Sequence, residues 1–195
     1  MGRNAATNDE QREQARGKLL RAGRELFASD GFERTTIAAI AARAGCSKGL
    51  LYHYFPTKTA LVVAILEAWR GQVASVAARA SAERSPQQRL ADFARGMASY
   101  VDANPDDYRL NLRALSDPEL RRIAGDVDSD ESHPWATAFA HLGTSTDVEW
   151  RFFQTALIGI FTHRVLSPRD TPVADLVEHL ITLTLERPWI SISDS

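Results

Sequence analysis

An all-α fold, with an N-terminal three-helix helix-turn-helix domain and a C-terminal helical domain, is predicted from three observations. Apolar residues recur at three- and four-residue spacing along most of the 195-residue chain. Nowhere do strand patterns alternate with helical ones. Residues 35–58, TTIAAIAARAGCSKGLLYHYFPTK, hold two short helices joined by a tight turn and closed by a proline.

The elements follow in order. Residues 1–8 lack an apolar stripe and are expected to form a disordered arm, in which Arg3 either tracks a minor groove or is simply solvated. The first helix is expected over residues 9–30, with Leu19, Ala22 and Leu26 in line and Phe27 beside them. Glycine in a helix interior costs about 1 kcal/mol relative to alanine, so Gly23 is expected to mark a close approach. Thr36 can cap the second helix, whose apolar stripe is Ile37, Ile40 and Ala41. Gly45 ends that helix by taking the left-handed conformation, and Ser47 caps the next. The third helix buries Leu51 and Phe55 and stops at Pro56, which favours an extended residue before it.

What this leaves outward is Lys48, Gly49, Leu50, Tyr52 and His53. These types suit a helix that enters the major groove by its N-terminal end: glycine permits close backbone approach, and lysine pairs with a phosphate or a guanine edge. Leu50 either meets a thymine methyl or packs in the turn, and Tyr52 either packs or sends its hydroxyl to a phosphate. The DNA-binding domain is placed at residues 9–62 and the regulatory domain at 63–195.

Over roughly residues 18–66 the chain resembles the TetR-type transcriptional regulators. LLRAGRELFASDGF is similar to that family's first helix and glycine-ended turn, and SKGLLYHYFPTKTAL to its recognition helix running into the fourth. Gly31, the pair Thr35 and Thr36, the AG before Ser47, Tyr52, the YFP segment and Lys58 coincide in order. Cys46 departs from the usual valine, Gly23 from alanine, Ala38 and Ala39 from frequent polar residues, and Thr59 from an acidic residue. The two alanines remove polar groups from the second helix, leaving Thr36 as its expected contact. The resemblance implies double-stranded DNA held by Thr36, Ser47, Lys48, Gly49, Leu50, Tyr52, His53 and Lys58. It also implies a homodimer and a small-molecule effector that releases a repressor from a near-palindromic operator.

Farther along, a helix over residues 57–81 has Leu61, Ile65, Ala68, Val73 and Val76 as its expected core face. Ser85 and Pro86 open a fifth, with Leu90, Phe93, Ala94, Met97, Tyr100 and Val101, ended by Asn104 and Pro105. Residues 106–116 carry Tyr108, Leu112 and Leu115, and Asp117 with Pro118 begins a further piece through Arg122. An acidic loop at 126–131 precedes a short helix at 135–142. Asp147 then opens a helix whose segment WRFFQTALIGIF is apolar nearly all round and so needs covering on both sides. Thr171 and Pro172 open the last, with Val173, Leu176, Val177, Leu180, Leu183 and possible addition of Ile181. Pairing these two helices with their copies would make a four-helix bundle, through Phe152, Ala156, Gly159, Ile160, Leu176, Leu180 and Leu183. Expected pocket residues are Phe93, Met97, Tyr100, Tyr108, Arg109, Arg113, Trp135, Phe139, Trp150 and Phe153, each also readable as core packing. Arg109 and Arg113, one turn apart, either receive an anion or form a solvated face.

The formal net charge of −2 divides unevenly: residues 1–62 carry ten Lys and Arg against six Asp and Glu. Phosphate attraction is screened within about 10 Å, so the local surplus governs DNA affinity. No apolar run approaches the roughly 20 residues of a membrane span, and the N-terminus lacks a secretory apolar segment, which predicts a cytoplasmic protein without a membrane partner. One cysteine excludes an internal disulfide.

Rival readings fit less of the chain. GCSKG matches the GxSxG of serine hydrolases with Ser47 as nucleophile, but that motif needs a strand leading into the turn, where an alanine-rich helical pattern stands. His53, His133, His141, His163 and His179 lack metal-ligand spacing, so no enzyme activity, metal or cofactor is expected. Cys46 adjoins the positive end of the third helix, which lowers a thiol pKa, so a redox-responsive regulator is the alternative; the other reading is a small apolar residue in valine's place.

Overall fold

The computed structural model describes residues 2–80, 84–125, 148–167 and 172–184, with side chains left aside at 2–8, 124–125 and 148–151. Among the described residues there are nine α-helices and no strand. They are α1 (Gly2–Asp30), α2 (Ile37–Ala44), α3 (Lys48–Tyr54), α4 (Lys58–Ala78), α5 (Pro86–Ala103), α6 (Pro105–Ser116), α7 (Pro118–Gly125), α8 (Val148–Leu166) and α9 (Val173–Thr184). The expected short helix at 135–142 and acidic loop at 126–131 lie outside the described residues.

Contacts divide the chain into two compact units, Met1–Trp69 with Leu110–Val127, and Arg70–Arg109 with Asp128–Ser195. This differs from a boundary at residue 62. The physical reason is burial: Leu110, Ala114, Leu120 and Ile123 share one apolar cluster with Leu19, Phe27 and Ile40, which draws the end of α6 and all of α7 into the first unit. The disordered arm is also corrected, since α1 already begins at Gly2. No proline occurs before residue 30, and Ala5 and Ala6 are strong helix formers.

In the first unit, α1 buries Leu19, Ala22, Phe27 and Ala28. A Cβ at Gly23 would stand 3.0 Å from Leu61 Cδ2 and 3.1 Å from Ile65 Cδ1, so α1 and α4 approach closely there as expected. Thr57 caps α4 by accepting from the Ala60 N–H at 2.9 Å. The buried stripe of α4 is Leu61, Val62, Ile65, Leu66, Trp69, Val73, Val76 and Ala77. Ala68, expected in that stripe, is exposed; Trp69, four residues after Ile65, takes the place. By length and composition alone α4 is long and apolar enough to span a bilayer, but its large apolar side chains are buried in the protein. On α6 the buried face is Tyr108, Leu110 and Ala114, while Leu115 is 49% exposed, so the expected 108–112–115 line is turned.

The second unit is built on α5, α8 and α9, with α9 packed on both others. Ser85 caps α5 in a reciprocal pair with Gln88, at 3.3 and 3.1 Å, and Pro86 sits where its missing N–H costs nothing. Leu90, Phe93, Met97 and Val101 are its buried face. Phe153, Leu157, Phe161 and Val165 of α8 and Val173, Val177, Leu180 and Ile181 of α9 complete the core. Tyr108 meets Phe161 edge-on at 5.8 Å and donates its hydroxyl to Ile158 O at 3.2 Å. Arg95 grips Glu178 with two N–H groups at 2.6 and 2.8 Å, which holds that carboxyl below its ordinary range.

Substituting Gly23→Val should lower the unfolding free energy by about 1–3 kcal/mol, because α4 lies against it. Gly17→Ala, with nothing within 4 Å of the added carbon, should raise it by up to about 1 kcal/mol. Urea titration of both variants reads the contrast, and equal effects would contradict the close approach.

Candidate nucleic-acid interface

The candidate interface is made by local hydrogen bonds around one glycine. Thr36 takes extended backbone and its Oγ1 accepts from the Ala39 N–H at 3.1 Å, starting α2. Gly45, at φ 66°, ends it: the Gly45 N–H donates to Ala42 O at 3.1 Å and the Cys46 N–H to Ala41 O at 2.9 Å. This doubly closed turn satisfies carbonyls that would otherwise be orphaned, and a side chain at 45 would be strained. Ser47 Oγ then accepts from the Leu50 N–H at 3.1 Å, starting α3 only three residues after α2 ends. Leu51 and Phe55 anchor α3 in the core, and Phe55, extended before Pro56, stops it.

With that face fixed, the other is exposed: Thr36, Ser47, Lys48, Gly49, Leu50, Tyr52 and His53 all face solvent. Leu50 is 37% exposed and Tyr52 51%, so neither packs in the turn as the competing reading had it. Lys48 makes no ion pair among the described residues, whereas Arg43 on α2 is held by Glu25 at 2.6 Å. Lys58 sits differently from the expected phosphate contact. Its Nζ donates to Phe32 O at 2.8 Å and Glu33 O at 3.4 Å, and stands 4.2 Å from the Phe32 ring centre. It clasps the connection after α1, because those carbonyls and that ring offer a cation better partners than open water. Thr35, unassigned in the sequence, is 2% exposed and donates to Gly31 O at 2.7 Å. Its pairing with Thr36 was the available signal: one hydroxyl closes the turn, the next starts the helix.

Cys46 is half-buried against the core cluster, and burial pushes its thiol pKa up. It precedes Ser47, the capping residue of α3, and so lies outside that helix's first turn. That is the apolar-residue reading of Cys46. Ser47, for its part, lies between two helices, and no strand leads into GCSKG.

Of the expected pocket residues that the structure describes, Phe93, Met97, Tyr108 and Phe153 are at most 1% exposed and pack the second core. Arg109 pairs with Asp106 and donates to Val165 O at 3.2 Å in the second unit, whereas Arg113 donates to Ser29 O at 3.0 Å in the first. Each guanidinium thus meets a carbonyl near a helix end within its own unit. Trp135 and Phe139 lie outside the described residues, as does the side chain of Trp150. Tyr100 lines a cleft of about 500 Å³. Of the expected dimer residues, Phe152 is 53% and Leu183 45% exposed, Gly159 is exposed, and Ala156, Ile160 and Leu176 are half-buried. Leu180 is corrected: only 7% exposed, it belongs to the core of its own chain, four residues from Leu176 but turned inward with Val177 and Ile181.

Residues 19–65, which hold this helix-turn-helix, match the sequence model described as bacterial regulatory proteins, tetR family. That segment is similar to the DNA-binding part of the TetR family. The transcriptional activator FasR of Mycolicibacterium smegmatis is 31% identical over 110 residues, 56% of this chain and 50% of FasR. The transcriptional regulator RutR of Escherichia coli K12 is 31% identical over 134 residues, 60% of this chain and 63% of RutR. The chain thus aligns with between half and two thirds of each of these relatives' length. A TetR-like regulator from Rhodococcus sp. RHA1 superposes with a TM-score of 0.67 at 27% identity, over 91% of this chain and 97% of that one. FadR of Bacillus halodurans, at 16% identity, shares the fold with a TM-score of 0.71 over 89% and 99%.

Alkylation of Cys46 by iodoacetamide at pH 7 should be slower than that of an unstructured cysteine peptide and should accelerate only as pH passes the ordinary thiol range. A fast reaction at neutral pH would restore the redox-sensing alternative.

Proposed function

We propose that this chain is a sequence-specific DNA-binding transcriptional regulator of the TetR type, a homodimeric repressor released from a near-palindromic operator by a small molecule. The observation that carries the reading is α3 itself: a short helix whose N-terminal turn offers Lys48, Gly49 and Leu50 to solvent, while Leu51 holds the opposite face at 0% exposure. Such a helix presents its first turn to base edges. Lys48 supplies charge to a phosphate or guanine, Leu50 an apolar surface for a thymine methyl, and the hydroxyls of Thr36, Ser47 and Tyr52 and the ring of His53 polar contacts to the backbone. With Lys58 engaged on Phe32 and Glu33, Lys48 is the better candidate for the charge-dependent contact.

The dimer is supported by α8 and α9. Phe152, Gly159 and Leu183 expose apolar or small surface on helices whose other faces are already buried, and Ala156, Ile160 and Leu176 border them. A two-fold pair of α3 helices would reach successive major grooves about 34–36 Å apart, hence a near-palindromic operator. A small-molecule effector is supported by the shared fold, since FadR of Bacillus subtilis is described in complex with stearoyl-CoA. The sign of regulation needs its own measurement, because FasR is named an activator; a reporter driven from the chain's own promoter region should rise when the gene is deleted.

Affinity for DNA fragments from around the gene, at two salt concentrations with nonspecific competitor, tests the reading: selective binding by a dimer is expected, and failure against every sequence in a random library would overturn it. Lys48→Gln should weaken all sequences alike and flatten the salt dependence by about one unit of slope. Leu50→Ala should instead change the preference among sites; an untouched preference profile would remove the thymine-methyl contact. Gly159→Arg should yield monomers by sedimentation at concentrations where the parent chain is dimeric, and bind DNA more weakly, while an unaltered dimer would move the interface elsewhere.

A further inference from the structure

Within the second unit, the cleft of about 500 Å³ runs between the last turns of α4 and the face of α5 opposite Phe93 and Met97. Side-chain volume is missing there. Gly96, Ser99 and Ala103 lie along one face of α5, and α4 comes so near that a Cβ on Gly96 would stand 2.6 Å from Val76 Cγ1. The closeness at Gly96 makes a floor, and the small residues beyond it leave the space open.

The walls are mixed, apolar at Val76, Ala80 and Ala103 and polar at Arg79, Asp92, Ser99, Tyr100 and Asn104. Arg79 is fixed on one side, its Nε donating to Ser75 O and its Nη2 to Ser75 Oγ, both at 3.2 Å, with Nη1 left over among the described bonds. Asp92, on the same cleft, is already neutralised by Arg84 at 3.2 Å and Arg95 at 3.7 Å. Among the described lining residues, the charge not held in an ion pair is therefore the guanidinium of Arg79. Farther along, Asn104 donates to Tyr100 O at 3.1 Å, and Tyr100 donates its hydroxyl to Asp107, a carboxylate 4% exposed on α6. A volume in this range suits a small ligand, and an acyl chain laid against Arg79, Ser99 and Asn104 would leave polar groups without partners.

We propose that this cleft is the effector site and takes a small hydrophilic anion, whose carboxylate or phosphate is held by Arg79 and whose presence is registered where Tyr100 bonds Asp107. The proposal rests on the reading of the chain as a ligand-responsive regulator. It departs from the acyl-CoA bound by a protein of the same fold. Tyr100 is the positioning residue: a ligand that draws on its hydroxyl competes with Asp107, and α6, which carries Asp107, continues to Arg113 and its bond to Ser29 O.

The test is thermal unfolding of the full chain titrated separately with citrate, 3-phosphoglycerate and decanoate, with potassium chloride at matched ionic strength as control. Citrate or 3-phosphoglycerate should raise the midpoint saturably, and Arg79→Gln and the cleft-filling Ser99→Phe should each weaken that anion by about tenfold or more. Arg79→Gln, on an exposed helix end, keeps the test valid if Ser99→Phe does not fold. Tyr100→Phe should lose anion-dependent release of DNA even at anion concentrations that saturate its thermal shift, which a merely structural role would not separate. No saturable shift with either hydrophilic anion, or decanoate binding that both substitutions leave unchanged, overturns the proposal. DNA affinity without added ligand is measured in parallel: a chain that binds its operator but neither anion sinks the cleft alone, and one that binds an anion but no DNA sinks the regulator alone.

Discussion

The C-terminal end of α1 is where the first unit is decided. A helix leaves its last carbonyls without partners and concentrates negative potential there. Here a set of donors from four places in the sequence answers that need. Thr35 donates to Leu26 O and Gly31 O, Arg34 to Asp30 O, Lys58 to Phe32 O and Glu33 O, and Arg113 to Ser29 O. Three of those donors are cations, so attraction to the helix end adds to each hydrogen bond. Since α2 starts immediately after Thr35, the geometry of this junction sets the direction from which α2, the glycine turn and finally α3 emerge.

The second unit depends on a different economy, the placing of small residues. Gly96 lets α4 and α5 meet, and Gly159 leaves α8 without bulk on its outward side. The same helix α8 is filled on the inward side by Phe153, Leu157 and Phe161. An almost uniformly apolar sequence therefore becomes two-sided only through which positions are large.

How far the fold could be read from sequence follows from the range of the forces involved. Caps and turns are local, so Thr36, Gly45, Ser47, Ser85 and Pro56 declared their roles in neighbouring residues. The outward set on α3 was legible because two anchors, Leu51 and Phe55, fix a seven-residue helix. Lys58 and Arg113 were not, since their partners lie 26 and 84 residues away. Helices with apolar residues on several sides gave ambiguous stripes, which is why Ala68, Leu115 and Leu180 turned out to face other directions than the pattern favoured. Phe93, Tyr108 and Phe153, expected to line a pocket, are buried in the core, and the described cleft lies where side chains are small.

The chain leaves the first unit after Trp69 and returns to it at Leu110, bringing Ala114, Leu120 and Ile123 into a core begun by Leu19. The reading head is thus not a cassette. A segment cut after α4 would present to water the apolar ground that α6 and α7 cover, and a graft of residues 1–69 onto another body would carry that debt with it. Folding of the first unit also has to wait for a loop of about forty residues to close, since the entropy of closure precedes the contacts that repay it. In such a chain the helix-turn-helix and the helices that follow it must be inherited, exchanged and engineered together.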